Sequence, residues 1–234
     1  MTTAPPLTAP SARRTRIGAL LWVLSSIQFF AAHLIVQSAW PRPYSWALNN
    51  VSDLGAVTCS TAGAEPHVRY VCSPLHDVMN VSFLVQGAML IAGAVLLPAL
   101  WRRRAIIAWA GGALLCLQGA GWLVVGLAPA DAHEDPHSLG ALLVAAGNIG
   151  LIVTAVGATR GALRDVRISA LLAGTVGCAA TWLFATDSDL GLGLGAMERL
   201  WLFPVQVWIA YAGIRLLAGT GCLAWTHGDI RADR

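Results

Sequence analysis

The sequence predicts an all-α polytopic membrane helix bundle with about six transmembrane helices and both termini in the cytoplasm. Hydrophobic residues make up 56% of the 234 residues and charged residues only 12%, whereas soluble domains contain roughly 25% charged residues. The apolar residues fall into six long runs, and the arginines cluster at alternate ends of these runs. A chain of this length cannot bury so much apolar surface in a water-surrounded core. The composition therefore excludes a soluble enzyme, a disordered protein and a nucleic-acid-binding protein.

Each apolar run is near the roughly 17–25 residues that a membrane-spanning helix needs. The first run follows Arg13, Arg14 and Arg16. It is longer than the roughly 7–15 apolar residues of a signal peptide, so we expect it to be retained as a helix. Residues 1–16 and 219–234 are predicted to be cytoplasmic tails, the first of them disordered. The predicted helices are residues 17–39, 75–100, 105–128, 137–159, 168–185 and 197–218.

All 15 basic residues are arginines, and their distribution predicts the orientation. With the N-terminus inside, only Arg42, Arg69 and Arg199 fall in outer segments. The positive-inside rule then places both termini in the cytoplasm of a prokaryotic cell, with the chain as a multi-pass protein of the plasma membrane. The twelve arginines of the inner segments are Arg13, Arg14, Arg16, Arg102, Arg103, Arg104, Arg160, Arg164, Arg167, Arg215, Arg231 and Arg234.

Histidines and carboxylates have the opposite distribution. Nine of the twelve acidic residues and five of the six histidines fall in the outer half. Acidic residues contribute little to membrane insertion, so insertion does not explain this bias. We therefore expect any functional site at the outer end of the bundle.

The loop of residues 40–74 is longer than the roughly 12–15 residues at which a loop without secondary structure becomes unusual. It contains Cys59 and Cys72. Because the outer compartment is oxidising, we predict a Cys59–Cys72 disulfide, with two free thiols as the alternative. Closing this loop would stabilise the protein by about 3 kcal/mol in the chain-entropy model.

A first polar cluster, residues 44–55, lies in this loop and includes Asn49, Ser52, Asp53 and Gly55. These residue types favour a turn or a helix cap. The alternative is a re-entrant segment that lines a cavity, since non-helical backbone inside a membrane requires one.

The second cluster begins the second helix. His76, Asn80, Phe83 and Gly87 recur with helical spacing, so they share one face. A polar face of a membrane helix belongs inside the bundle, where Asn80 and the nearby Gln86 can form interhelical hydrogen bonds.

The third cluster joins the third and fourth helices. His133 and His137 have a spacing that suits two zinc ligands on a helix, but Pro136 lies between them. Proline favours the start of a helix, so we predict Asp135 as N-cap and His133 outside the helix. The alternative is a solvated acidic turn.

The fourth cluster begins the sixth helix and contains Glu198, Arg199, Pro204 and Gln206. A glutamate in the first turn is favoured by the helix dipole. Pro204 is predicted to kink the helix and to open a polar pocket.

At these clusters the sequence resembles DUF998, a family of bacterial and archaeal membrane proteins of unknown function, over residues 17 to about 218. The resemblance implies about six helices and no established reaction. The residues that carry it are 49–55, His76, Asn80, Phe83, Gly87, 125–129, His137, Gly140, Ala141, Gly147, Asn148, 198–201, Pro204 and Trp208.

One functional hypothesis is a metal-assisted hydrolase or transferase that acts on a lipid-linked substrate. A catalytic zinc needs three protein ligands and an open position. Asp53 would be a ligand or a general base, and Arg199 would hold a phosphate or carboxylate of the substrate. The candidate metal ligands are His76, His133, His137 and Asp53. The candidate catalytic residues are Asn49, Ser52, Asp53, His76, Asn80, Glu198 and Arg199.

The other hypothesis is a non-enzymatic ligand-binding, sensor or structural membrane protein, or a permease subunit. Its partners would be the bilayer and a lipid or amphiphilic ligand. Glycine-rich helices suit close packing or a homo-oligomer. Ion conduction is disfavoured because no charged residue lies in the middle of a predicted helix.

The predicted orientation can be tested by cysteine labelling with a membrane-impermeant reagent. Single cysteines near Arg103 and near His133 should show opposite accessibility, because the two positions lie on opposite sides of the membrane. The same accessibility at both positions would contradict the orientation.

Overall fold

Six α-helices dominate the computed structural model, which describes residues 9–97, 105–157 and 164–228. Each of the six is long and apolar enough to cross a membrane. The predicted all-α, multi-pass fold is confirmed. The helices are α1 (Ala9–Ser38), α2 (His76–Leu96), α3 (Ala105–Leu127), α4 (Glu134–Gly157), α5 (Arg164–Ala185) and α6 (Leu194–Gly228).

The predicted tails differ from the structure at both ends of the chain. Helix α1 begins at Ala9 and α6 continues to Gly228, so residues 9–16 and 219–228 are helical. Pro10 lies in the first turn of α1, where a missing N–H costs no hydrogen bond. No further proline precedes the apolar run, so the helix propagates from its membrane segment into the tail. Residues 1–8 and 229–234 lie outside the described residues.

Helix α4 begins earlier than predicted. It starts at Glu134, so Asp135 is inside the first turn and is not the N-cap. The N–H groups of a first turn have no intrahelical partner, which is why Pro136 is tolerated there. His133 precedes the helix, as predicted, and its carbonyl accepts the N–H of His137 at 3.0 Å.

The helices form a ring in chain order. Each helix packs against the next, and α6 returns to pack against α1. Helix α4 also touches α6 across the ring. The loop of residues 40–74 therefore lies at the end of the bundle where α2, α4 and α6 begin. We call this end the loop end.

Glycines allow close approach between helices of the same chain. A side chain at Gly121 would meet the backbone of α4 at Gly140, and one at Gly87 would meet the backbone of α3 at Gly119. Gly147 faces the side chain of Gln118 in the same way. These glycines serve packing within the bundle, and the homo-oligomer stays a prediction.

A buried polar network joins α1, α2 and α6. Gln86 accepts a hydrogen bond from Ser25 at 2.7 Å and donates one to Gln206. Ser26 donates to the carbonyl oxygen of Gln206 at 2.7 Å. The predicted interhelical role of Gln86 is confirmed, whereas Asn80 bonds to the first loop.

The first loop contains a 3₁₀ helix (Ser52–Gly55) and two short strands, β1 (Ser60–Ala62) and β2 (Arg69–Val71). The strands are antiparallel, with Thr61 opposite Tyr70. The predicted disulfide between Cys59 and Cys72 is present beside them.

The arginines described at the opposite end of the bundle agree with the predicted division of arginines between its two ends. Arg215 Nε lies 2.8 Å from Asp165 Oδ2, near the start of α5 and far along α6. Arg42, Arg69 and Arg199 all lie at the loop end. The cytoplasmic location of the termini stays a prediction. The inner arginines Arg102, Arg103, Arg104, Arg160, Arg231 and Arg234 lie outside the residues whose side chains are described.

Gly93 provides a test of the packing between α1 and α2. A Cβ at this position would collide with the ring of Trp22, a side chain that is fully buried and donates to the carbonyl oxygen of Leu90 at 3.2 Å. Gly93→Ala should therefore destabilise the protein by about 1–3 kcal/mol, measured by thermal unfolding in detergent. Gly219→Ala is the control, because no atom lies within 4 Å of a Cβ there. Equal unfolding temperatures for the two variants would contradict this packing.

Candidate functional site

The guanidinium of Arg199 fastens the first loop to α6. Its Nη1 donates to the carbonyl oxygens of Trp46 at 3.1 Å, Asn49 at 2.7 Å and Gly195 at 2.7 Å. Its Nη2 donates to the hydroxyl of Tyr44. Only 5% of Arg199 is exposed. The hydrogen-bonding groups predicted to hold a substrate anion are thus largely occupied by the protein.

Tyr44 continues this connection. Burial raises the pKa of Tyr44 above its ordinary value, although nearby Arg199 acts to lower it. The hydroxyl stays protonated and donates to the carbonyl oxygen of Asn50 at 2.9 Å. Tyr44 thereby bridges Arg199 and the first polar cluster.

Two glycines before and within α6 allow this contact. Gly193 has a φ of 91°, a left-handed conformation that favours glycine. A Cβ at Gly193 would collide with the carbonyl of Ala47, and one at Gly195 with the carbonyl of Asn49. The glycine-rich stretch therefore lets the start of α6 lie directly against the backbone of the first loop.

Asp53 is held in a buried ion pair. It accepts hydrogen bonds from Arg69 Nε at 2.7 Å and Nη2 at 2.9 Å. It also accepts the N–H of Asn50 at 2.8 Å. Burial acts to lower the pKa of Arg69, but the hydrogen bond and charge of Asp53 raise it above its usual range. Arg69 therefore keeps its charge, and its contacts with Asp53 form a structural ion pair.

The segment of residues 49–55 enters the loop end of the bundle. Ser73 Oγ donates to the carbonyl oxygen of Leu54 at 2.6 Å. Asn80 Nδ2, one turn into α2, donates to the carbonyl oxygen of Gly55 at 3.0 Å. Leu54 is fully buried. The segment therefore packs among the starts of the helices and lines a cavity. Ser52–Gly55 also forms a 3₁₀ turn, as in the other alternative, and the position of the segment inside the membrane stays a prediction.

Beside this segment lies a cavity of about 370 Å³, which we call the chamber. Its walls come from the first loop and from α4, α5 and α6, together with the turn between α3 and α4. Phe184 and Trp201 are its aromatic lining residues. Its charged or titratable lining residues are Asp53, Arg69, Asp131, Glu134, His137 and Glu198.

Asp131 connects the turn between α3 and α4 to the first loop across the chamber. Its carboxylate accepts the N–H of Val57 at 3.0 Å and both the N–H and the hydroxyl of Thr58 at 2.7 Å. Burial acts to raise the pKa of Asp131, but these hydrogen bonds lower it below its usual value. Asp131 thus joins two parts of the chamber wall, the turn between α3 and α4 and the first loop.

Glu198 lies in the chamber wall near the first turn of α6. Only 5% of the residue is exposed. Its Oε2 accepts the N–H of Val51, which ties α6 to the inserted segment. No hydrogen bond to its Oε1 is found among the described residues.

His137 also lines the chamber. Its Nδ1 lies 2.7 Å from the carbonyl oxygen of Ala128. A carbonyl only accepts, so Nδ1 carries the proton, and Nε2 is the nitrogen left for another partner.

The predicted metal ligands do not form one site. The described residues contain no group of three or more His, Cys, Asp or Glu side chains that could hold a metal ion. Asp53 is engaged by Arg69, and His133 is exposed and outside the chamber lining. The zinc hypothesis therefore receives no support from the arrangement of His76, His133, His137 and Asp53.

The other predicted site residues lie in three different settings. Ser52 lines the chamber with Asp53 and Glu198. Asn49 and Asn80 brace the inserted segment, since Asn49 Nδ2 donates to the carbonyl oxygen of Tyr70 at 2.8 Å. His76 is half-buried outside the chamber lining, with Nδ1 at 3.0 Å from the carbonyl oxygen of Ser73.

The pocket predicted at Pro204 is apolar. Pro204 borders an open groove of about 880 Å³ between α5 and α6 that runs from Trp46 to Tyr211. Phe203, Val207 and Trp208 line it with Pro204. Pro204 therefore borders an apolar groove and not a polar pocket.

The site predicted from the sequence included neither Arg69 nor Phe184. Tyr44 was placed in the first polar cluster and Trp201 among the residues that carry the family resemblance, but neither was given a role. Arg69 had a usable signal, because it is one of only three arginines predicted to lie at the outer end. Phe184 had none, since aromatic residues are common in apolar helices.

The Asp53–Arg69 pair gives a stability test. Asp53→Asn leaves the guanidinium of Arg69 without its counter-charge, and breaking a buried pair in this way costs about 3–5 kcal/mol. The variant should unfold at a clearly lower temperature in detergent. Asp187→Asn, at an exposed position of the same end, is the matched control. Similar unfolding of both variants and the wild type would contradict a structural ion pair.

Comparison with known proteins places these features in a family. The family described as "Protein of unknown function (DUF998)" matches residues 12–215. No curated protein matches the chain, and no solved structure does. The match includes the inserted segment, Arg69, His137, Glu198 and Arg199. The chain is a multi-pass integral membrane protein that belongs to the DUF998 family.

Proposed function

We propose that the protein is a ligand-binding membrane protein whose chamber takes up a small polar molecule or the polar head group of an amphiphile at the outer membrane surface. The observation that carries this proposal is the chamber itself. Its volume of about 370 Å³ lies within the roughly 300–1,000 Å³ of typical ligand sites. Its lining combines apolar side chains with fixed polar groups that can orient a ligand.

The chamber walls are held before any ligand arrives. Arg199, the Asp53–Arg69 pair and Asp131 each fasten a different wall, and the disulfide closes the loop that forms one side. A site fixed in advance loses less conformational entropy when it binds. This rigidity supports binding as the role of the chamber.

The hydrolase or transferase predicted from the sequence depended on a metal held by several histidines. Because the described residues do not group those ligands, we propose the non-enzymatic alternative. His137 then serves as a hydrogen-bonding group of the chamber wall through its Nε2.

Filling the chamber tests the proposed function. Ala141 lines it from α4 and is half-buried, so Ala141→Trp should occupy it. Amines, carboxylates, phosphates and sugars are each titrated against the purified full-length protein while thermal unfolding is followed. At least one of these classes should stabilise the wild type saturably, and Ala141→Trp should abolish that effect.

Leu142→Trp is the matched control, because Leu142 is the next residue of α4 and 68% exposed. It should respond to ligand like the wild type. A wild type that no class stabilises, or a stabilisation that persists in Ala141→Trp, would overturn the proposed function.

A further inference from the structure

The carboxylate of Glu198 lines the chamber without a direct ion-pair partner. The residue is only 5% exposed, and no described arginine or histidine lies within ion-pair distance of its carboxylate. The adjacent Arg199 directs its Nη1 and Nη2 to the first loop and to Gly195. A buried ion without a partner is costly, so this position favours a cation.

The other chamber residues do not supply that cation. Arg69 Nε and Nη2 are engaged by Asp53. The remaining charged side chains of the wall, Asp131 and Glu134, are both carboxylates. The described lining thus contains four carboxylates and a single guanidinium.

Two aromatic rings line the same chamber as the carboxylate of Glu198. Trp201, three residues after Glu198 and so on the same face of α6, lines the chamber with Phe184 of α5. Their ring centroids are 6.2 Å apart. Aromatic faces attract ammonium ions, and they do so more strongly when the cation is desolvated.

We propose that the chamber binds an organic ammonium group, with Glu198 as its counter-ion and Trp201 and Phe184 as the aromatic walls. This inference rests on the proposed function and names its ligand class. The ammonium belongs either to a small free cation, such as choline or protonated ethanolamine, or to the head group of a phospholipid. Both sources present the same cation to the same carboxylate.

Glu198→Gln provides the test. Glutamine keeps an oxygen for the N–H of Val51 but removes the charge. Choline and ethanolamine are titrated into the purified full-length protein in detergent, with sodium at equal ionic strength as the reference. Their dissociation constants should rise at least tenfold in Glu198→Gln. They should change less than threefold in Asp187→Asn, which removes an exposed carboxylate at the same end of the bundle but outside the chamber lining.

A second experiment distinguishes a free ammonium ion from a phospholipid head group as the source of the ligand. The protein is placed in nanodiscs of phosphatidylethanolamine or of phosphatidylglycerol, and the apparent affinity for choline is measured in each. Competition by phosphatidylethanolamine alone identifies a lipid head group, whereas equal affinities identify a free amine. Either result supports the ammonium site.

Three results would overturn the inference. Saturable binding of another class that Ala141→Trp abolishes, without ammonium binding, would refute the ligand class and leave the proposed function intact. Absence of binding by every class would refute both. Ammonium binding that Glu198→Gln does not weaken would refute the role of Glu198.

If Glu198→Gln fails to fold, Phe184→Leu is measured instead, and unchanged choline affinity there would refute the aromatic wall.

Discussion

The loop end depends on one buried guanidinium. Arg199 donates to the carbonyl oxygens of Trp46, Asn49 and Gly195 and to the hydroxyl of Tyr44, and so holds non-helical backbone against the start of α6. Backbone that enters a helix bundle must have its polar groups satisfied by protein, because the bilayer offers no water to do so. Charge-assisted hydrogen bonds are the strong means of doing this. The inserted segment therefore requires a cation at this position.

The hydrogen bonds of Arg199 also decide which groups remain available to the adjacent Glu198. Because Arg199 is directed toward the first loop, Glu198 remains in the chamber wall with a single described hydrogen-bond donor, the N–H of Val51. Asp53 is neutralised by Arg69 on the other side of the inserted segment. Of the two buried acids at this end, Asp53 is thus structural, and Glu198 is the one that we propose contacts a ligand.

Much of the fold could be predicted from local patterns, and the site only in part. Run length identified the six helices, and two cysteines in the long first loop identified the disulfide. The ends of α1 and α6 could not be placed, since polar residues such as Arg13 are compatible with both a helix and a tail. The partner of Glu198 is a backbone N–H 147 residues away, and the partner of His137 is a carbonyl. Backbone partners leave no signal in residue type, so the polar clusters suggested a metal site where the structure bonds these side chains to backbone groups.

Hydrogen–deuterium exchange tests most directly whether the first loop is fastened into the bundle. The amides of Asn50, Val51 and Leu54 are each bonded to protein acceptors. In nanodiscs, a peptide covering residues 49–56 should exchange as slowly as the helices, while residues 63–66 of the same loop, which are exposed, should exchange quickly. Fast exchange in both parts of the loop would show that residues 49–56 are not inserted and would contradict the chamber.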